Sequence, residues 1–201
     1  MTTWTSKPLA ALGIIVMLGA CEGMDAGKGL LANLTPPEDA ALPAVPLTQA
    51  LMMRGNVTLV PPNGYCIDPE SLTQSFAMMA RCDALGAATG GIGAPVGVLT
   101  VSLARNAKDT TLPSAAEVAS AAGLGTPEDI RPADGSIVFK TSGATPGPDL
   151  APKHWRSVAQ IDRYTMGAAL FGPEGRRAVS LEGAGVLEQL IKRTTDKTAE
   201  G

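Results

Sequence analysis

Short stretches in which apolar and polar residues alternate predict the strands of this chain. In residues 56–60, Val57 and Leu59 fall on one side of an extended backbone, and the turn-forming residues 61–64 separate this strand from the next. The same criteria predict strands at 56–60, 65–67, 96–103, 136–140, 155–161 and 164–171. The last two strands are expected to form a pair.

Helical spacing predicts two or three helices. The last one is carried by an apolar stripe of Val186, Leu187, Leu190 and Ile191. Ser114 and Glu117 form a capping box that opens an alanine-rich helix ending near Gly123 or Gly125. A second short helical turn is predicted to begin at Thr126-Pro127-Glu128-Asp129. Strands mixed with separated helices indicate an α+β fold with a largely antiparallel sheet.

Residues 47–201 are predicted to form this single α+β domain, and residues 21–46 are predicted to form a flexible tether. The tether is rich in Gly, Ala, Pro and acidic residues, and its prolines interrupt any helix or strand. Extended, it would reach about 80–90 Å, and as a coil it would average about 30 Å. The alternative is a partly docked segment whose leucines, Leu30, Leu31 and Leu34, cover an apolar groove.

The amino terminus carries the pattern of an export signal. Lys7 precedes an uncharged apolar run over residues 8–20, which as a helix would span only about 20 Å of a hydrocarbon layer about 30 Å thick. The run is therefore predicted to be a secretory signal rather than a permanent span. Ordinary secretory cleavage after Ala20 and an uncleaved anchor are both compatible with the run itself.

Leu18-Gly19-Ala20-Cys21, at the end of this run, resembles the lipobox of bacterial lipoproteins. The resemblance implies that residues 1–20 are a lipoprotein signal peptide, and that the Cys21 thiol becomes diacylglycerated. The new amino group would usually be acylated as well, with palmitate for example. The mature protein would then be anchored by lipid to the inner or outer membrane of the cell envelope, facing the periplasm. Which membrane holds it stays open.

Two cysteines remain after Cys21, and an even pair in an oxidising compartment predicts a disulfide between Cys66 and Cys82. In the chain-entropy model, closing this loop would stabilise the fold by about 3 kcal/mol. Buried free thiols are one alternative, because such thiols pack as small apolar groups. A metal site is the other, although neighbouring His or carboxylate ligands at short spacing are missing.

The segment after Cys66 has two interpretations. Asp68 and Pro69 suit the start of a helix, which apolar residues at helical spacing would extend to Gly86. Alternatively, residues 76–82 form a strand beside Cys66. We favour a short turn followed by a strand, because neighbouring strands supply the Cα separation of about 5.5–6 Å that a disulfide needs.

Charge and histidine content limit the chemistry. The formal net charge is −3, and no basic cluster suits nucleic acid, so we expect no nucleic-acid partner. The single histidine, His154, excludes any site built on two. It could serve as the base of a hydrolase, but the common serine-nucleophile motifs are missing, and we interpret it as a solvated or packing residue. We expect no cofactor and no metal.

Two segments around the cysteine pair, Gly64-Tyr65-Cys66-Ile67-Asp68 and Ala80-Arg81-Cys82-Asp83, are similar to uncharacterised envelope proteins of alphaproteobacteria. The resemblance implies a paired-cysteine extracytoplasmic domain without an assigned activity. The favoured function is therefore a lipid-anchored binding module for another envelope component, rather than an enzyme. The alternatives are a small-ligand carrier, which would need an apolar cavity of roughly 300 Å³ or more, and a hydrolase that uses His154.

Overall fold

The computed structural model describes residues 45–106 and 111–201. The predicted signal peptide, Cys21 and the tether up to residue 44 lie outside the described residues. The strands are β1 (Ala50–Met52), β2 (Val57–Leu59), β3 (Tyr65–Ile67), β4 (Phe76–Arg81), β5 (Val98–Arg105), β6 (Glu128–Ala133), β7 (Ser136–Ser142), β8 (Lys153–Ile161) and β9 (Tyr164–Phe171). The helices are α1 (Ala115–Ala121) and α2 (Leu181–Ala199), with short 3-10 turns at Met53–Gly55 and Arg177–Val179.

The architecture is α+β, as predicted. Seven strands form one sheet in the order β3-β4-β5-β9-β8-β7-β6, and β1 and β2 pair as a separate two-stranded sheet. Every one of these pairings is antiparallel. The tight β8–β9 pair runs from Trp155 opposite Leu170 to Ile161 opposite Tyr164, which confirms the predicted pair.

Helix α2 covers one face of the large sheet and supplies much of the core. Leu187 and Leu190, from the predicted apolar stripe, have no exposed surface, and they belong to one buried cluster with Val138 and Trp155 of the sheet. Each fully buried leucine contributes about 1.5–3 kcal/mol relative to an exposed one. Ser180 accepts a hydrogen bond from the Glu182 N–H and so caps the start of the helix.

Two threonines of α2 also bind the strand edge of the small sheet. The Thr58 N–H donates to the Thr198 hydroxyl over 3.1 Å, and the Val60 N–H donates to the Thr194 hydroxyl over 3.3 Å. Edge strands expose unpaired backbone groups. Side chains from α2 therefore take the place of a third strand here.

Replacing Thr194 with valine should lower the free energy of unfolding by about 1–3 kcal/mol, because the buried Val60 N–H loses its acceptor while the side-chain volume is kept. Denaturant unfolding followed by circular dichroism measures the change. Thr195→Val is the matched control, since Thr195 is the exposed neighbour on the same helix, and it should change stability by less than about 0.5 kcal/mol. Equal losses in the two variants would contradict the edge-binding role.

The segment around Asp68 follows the favoured interpretation. Asp68 caps a short turn, accepting a bond from the Glu70 N–H at 3.0 Å, and residues 76–81 form β4 against β3. The strands at 57–59 and 65–67 are both present but do not pair with each other. Pro61 and Pro62 between them lack backbone donors, so a hydrogen-bonded ladder cannot continue across the connection.

The helical turn predicted at Thr126-Pro127-Glu128-Asp129 is wrong, because residues 128–133 form the edge strand β6. This strand is exposed along its whole length and pairs with β7 through a register shift, at which Asp129 adopts a φ of +48°. Pairing with the open edge of β7 stabilises the extended conformation of these residues more than their local preference stabilises a turn. The capping box at Ser114 and Glu117 is confirmed at the start of α1.

Candidate functional site

The predicted disulfide joins Cys66 of β3 to Cys82, the residue after β4. The two Cα atoms lie 4.8 Å apart, and both cysteines are buried. The Cys82 N–H also donates to the Gly64 carbonyl over 3.0 Å. The bridge therefore fixes the beginning of the glycine-rich connection that leads from β4 to β5.

This connection, residues 83–97, is also fixed near its other end. The buried Tyr65 hydroxyl donates to the Pro95 carbonyl over 2.7 Å, and Arg177 Nη2 donates to the Gly93 carbonyl over 2.8 Å. Burial raises the pKa of Tyr65 above its ordinary value, so this hydroxyl stays a donor at neutral pH. Gly91 has a φ of +87°, and a Cβ there would lie 2.3 Å from Asp83 Oδ1. The positive φ favours glycine here, and a larger residue would also displace the Asp83 side chain.

Two large apolar side chains of this connection are exposed. Ile92 is 94% exposed and Val96 56%. We call the surface around them the docking face and define it by Ile92, Val96, Arg81, Arg176 and Arg177, which line two adjoining hollows. Arg177 and Glu182 form an ion pair on this face, and their Nε and Oε2 atoms lie 2.6 Å apart.

Two shallow hollows flank Ala94 and Pro95 on this face. The first, of about 370 Å³, lies between Ile92 and the α2 residues Val186 and Gln189. The second, of about 510 Å³, is lined by Val96, Pro173 and the three arginines of the docking face. The face thus combines exposed apolar groups with guanidinium groups, and arginine is enriched in protein interfaces relative to the rest of a protein surface.

Ion pairs orient two of these arginines. The hydrogen bond from Arg177 lowers the pKa of Glu182, and that from Arg81 lowers the pKa of Asp83. Asp83, Arg177 and Glu182 have side chains that are 40–58% exposed, so solvent screens these pairs. Their main effect is geometric, because they hold the guanidinium groups beside the hollows.

His154 is a packing residue. It has no exposed surface and lies within β8, which begins at Lys153 rather than at the predicted Trp155. Nδ1 lies 2.8 Å from the Pro152 carbonyl, and Nε2 accepts from Arg156 Nε over 3.0 Å. Burial lowers the pKa of the imidazole, whose ring stacks on Phe171 at 4.4 Å. Both ring nitrogens are therefore occupied and neither is available to a nucleophile.

Met52 and Met79 are buried in the core, where methionine commonly fills gaps. Within residues 45–106 and 111–201, no group of three or more His, Cys, Asp or Glu side chains is placed to hold a metal ion. Nor, in the same ranges, does any helix have the length and apolar character needed to cross a bilayer.

No protein-family model matches this chain, and no curated protein matches it. Among solved structures, it is similar to the solution structure of cyanobacterial PsbP (CyanoP) from Synechocystis sp. PCC 6803, with 13% identity and a TM-score of 0.40. The match covers 81% of this chain and 97% of that one. A likeness of this size implies nothing about activity.

Sequence patterns did not reveal the docking face. Its residues come from β4, from the following connection and from the segment between β9 and α2, so no local motif links them. One signal was present, since Ile92 and Val96 are large apolar residues within a stretch of Gly and Pro that builds no helix or strand. Such residues are either buried or exposed for a partner.

Proposed function

We propose that this chain is a lipid-anchored binding module of the cell envelope, and that its docking face receives a segment of another envelope protein. The observation that supports this proposal most strongly is the exposure of Ile92 and Val96, which line two adjoining hollows beside charged side chains. Scattered exposed apolar residues are ordinary, whereas a cluster rimmed by polar groups is typical of an interaction site.

The chemistry of the face defines the partner. Apolar side chains of a bound segment would enter the two hollows and cover Ile92 and Val96. Carboxylate groups beside them would meet Arg81 and Arg176 at the rim, since arginine is enriched among the residues that carry binding energy in protein interfaces. The expected partner segment therefore carries apolar residues flanked by acidic ones.

The sequence supports the cellular address of this proposal. The lipobox-like Leu18–Cys21 segment predicts attachment to a bilayer, and a tether of 26 residues, at 21–46, would let the domain reach partners about 80–90 Å away. The Cys66–Cys82 disulfide is consistent with a compartment outside the cytosol.

In-situ cross-linking of intact envelopes, followed by affinity capture and quantitative mass spectrometry, tests the proposal. Ile92→Ser combined with Val96→Ser should reduce the capture of one defined envelope protein by about tenfold or more, because the apolar contacts are lost. Leu51→Ser combined with Ile130→Ser is the matched control, since these residues are 66% and 51% exposed elsewhere on the domain. This control should retain the partner.

Two further measurements make the result decisive. The thermal midpoint of both double variants should stay within about 3 °C of the parent, because surface substitutions rarely change stability by more than about 0.5 kcal/mol. If capture of every envelope protein is the same for the parent and for Ile92→Ser/Val96→Ser, the docking face is not the binding surface.

A further inference from the structure

A separate cavity of about 470 Å³ is lined by three arginines that come from different parts of the chain. Arg54 lies in the turn after β1, Arg105 ends β5, and Arg163 lies in the turn between β8 and β9. Gln74 and Ser75, which precede β4, complete one side of the lining. No carboxylate is among the described residues that line this arginine pocket.

Backbone hydrogen bonds tie these connections together. The Leu103 N–H donates to the Ser75 carbonyl over 2.8 Å, and the Asn106 N–H donates to the Arg163 carbonyl over 2.9 Å. Both bonds attach a connection to the end of β5, which carries Arg105. The arginines therefore stand on parts of the fold that are held to one another, rather than on independent loops.

The turn that carries Arg54 is strained. Met53 and Arg54 have φ angles of +51° and +61°, in the left-handed region that residues other than glycine rarely adopt. Each such residue costs about 1–3 kcal/mol and persists only where its surroundings enforce it. Residues with backbone strain of this kind are common at ligand-binding sites.

Gln74 enforces the strained turn from across the pocket. Its carbonyl accepts from the Met53 N–H over 2.9 Å, and its side-chain Oε1 accepts from the Arg54 N–H over 2.7 Å. Asn56 adds a third bond, from Nδ2 to the Met53 carbonyl over 2.7 Å. Because Oε1 already accepts the bond from Arg54, the Gln74 side chain can offer a ligand only its NH₂ group, which is a donor.

We propose that the arginine pocket binds a phosphate monoester. Asp162 pairs with Arg163 over 3.1 Å. The three guanidinium groups and this one carboxylate give the described residues at the pocket a net charge of +2. A phosphate monoester carries up to two negative charges at neutral pH, and it offers three terminal oxygens to planar guanidinium donors. A carboxylate offers two oxygens and one charge, and would leave part of the pocket unmatched.

This site is distinct from the docking face and does not depend on the function proposed for it. A phosphate monoester could belong to a soluble metabolite or to a lipid headgroup at the membrane surface, and both present the same group to the arginines. The cavity volume accommodates the phosphate and a small part of whatever carries it.

The test uses the full chain in micelles of an uncharged detergent. Isothermal titration with glycerol 3-phosphate should show saturable binding, and acetate should bind at least about tenfold more weakly. Arg54→Gln should weaken glycerol 3-phosphate binding about tenfold or more, and Arg54→Gln with Arg105→Gln should abolish it. Arg131→Gln is the control, because Arg131 is an exposed arginine outside the pocket that pairs with Glu188, and it should change the affinity less than about twofold.

A second arm distinguishes the two sources of the phosphate. Micelles doped with phosphatidic acid are compared with micelles doped with phosphatidylcholine as competitors of glycerol 3-phosphate. If phosphatidic acid competes and phosphatidylcholine does not, the pocket binds a lipid headgroup. If glycerol 3-phosphate binds but phosphatidic acid does not compete with it, the pocket binds a soluble monoester. If neither phosphate compound binds, or if the double arginine variant binds as tightly as the parent, the proposal is overturned.

Discussion

Replacing Gly183 with alanine should destabilise the domain by about 3 kcal/mol or more, because overpacking of this severity forces the backbone to shift. A Cβ at this position would lie 2.0 Å from the Ala178 carbonyl oxygen and 2.6 Å from Trp155 Cδ1. Neither neighbour can move away easily. Trp155 is fully buried and its indole Nε1 donates to the Ser180 carbonyl over 2.6 Å, which fixes the start of α2 against β8.

Gly185→Ala provides the matched control for this prediction. Gly185 lies two residues further along α2, and a Cβ added there would have nothing within 4 Å. Alanine there should stabilise the domain by up to about 1 kcal/mol through helix propensity alone. Urea unfolding measures both changes. If Gly183→Ala lost no more stability than Gly185→Ala, close contact with Ala178 and Trp155 would not determine how α2 is placed.

Replacing Cys21 with serine should release the protein from membranes completely. Acyl chains contribute about 0.8 kcal/mol for each buried methylene, and two or three chains give stable attachment where one does not. Fractionation after a carbonate wash should therefore move the chain from the membrane pellet to the soluble fraction. Mass spectrometry of the parent should show a mature chain that begins at a lipid-modified Cys21.

The double variant Cys66→Ser/Cys82→Ser is the control, because it shows whether losing cysteines other than Cys21 also releases the protein. It removes the disulfide and leaves Cys21 in place, so it should remain in the membrane pellet even if its domain is less stable. A parent chain that retains residue 1, or that begins at Cys21 with a free thiol, would contradict the lipid-anchored function.

Long periodic segments made the central elements predictable. In β5, β8 and β9, successive side chains alternate between the core and the other face of the sheet over part of each strand. Helix α2 carries four apolar residues at helical spacing. The α1 capping box is a local signal that the folded chain retains. These features depend on residues close in sequence, which a single chain displays directly.

The missed elements depend on contacts that are distant in sequence. Strand β1 has only three residues, too few for a period, and it exists because β2 offers partners such as Leu59 opposite Ala50. Strand β6 has no buried face and follows from the free edge of β7. The arginine pocket brings together Arg54, Arg105 and Arg163, whose separation in sequence hides their shared position.

Two adjacent residues of β3 hold both ends of the connection that bears Ile92 and Val96. Cys66 holds Cys82 through a covalent bond, and Tyr65 holds Pro95 through its hydroxyl. Ordering a flexible loop costs roughly 1–2 kcal/mol for each residue that becomes fixed. Most of this ordering takes place when the chain folds and oxidises, so a partner would meet a preformed surface and lose little affinity to entropy on association.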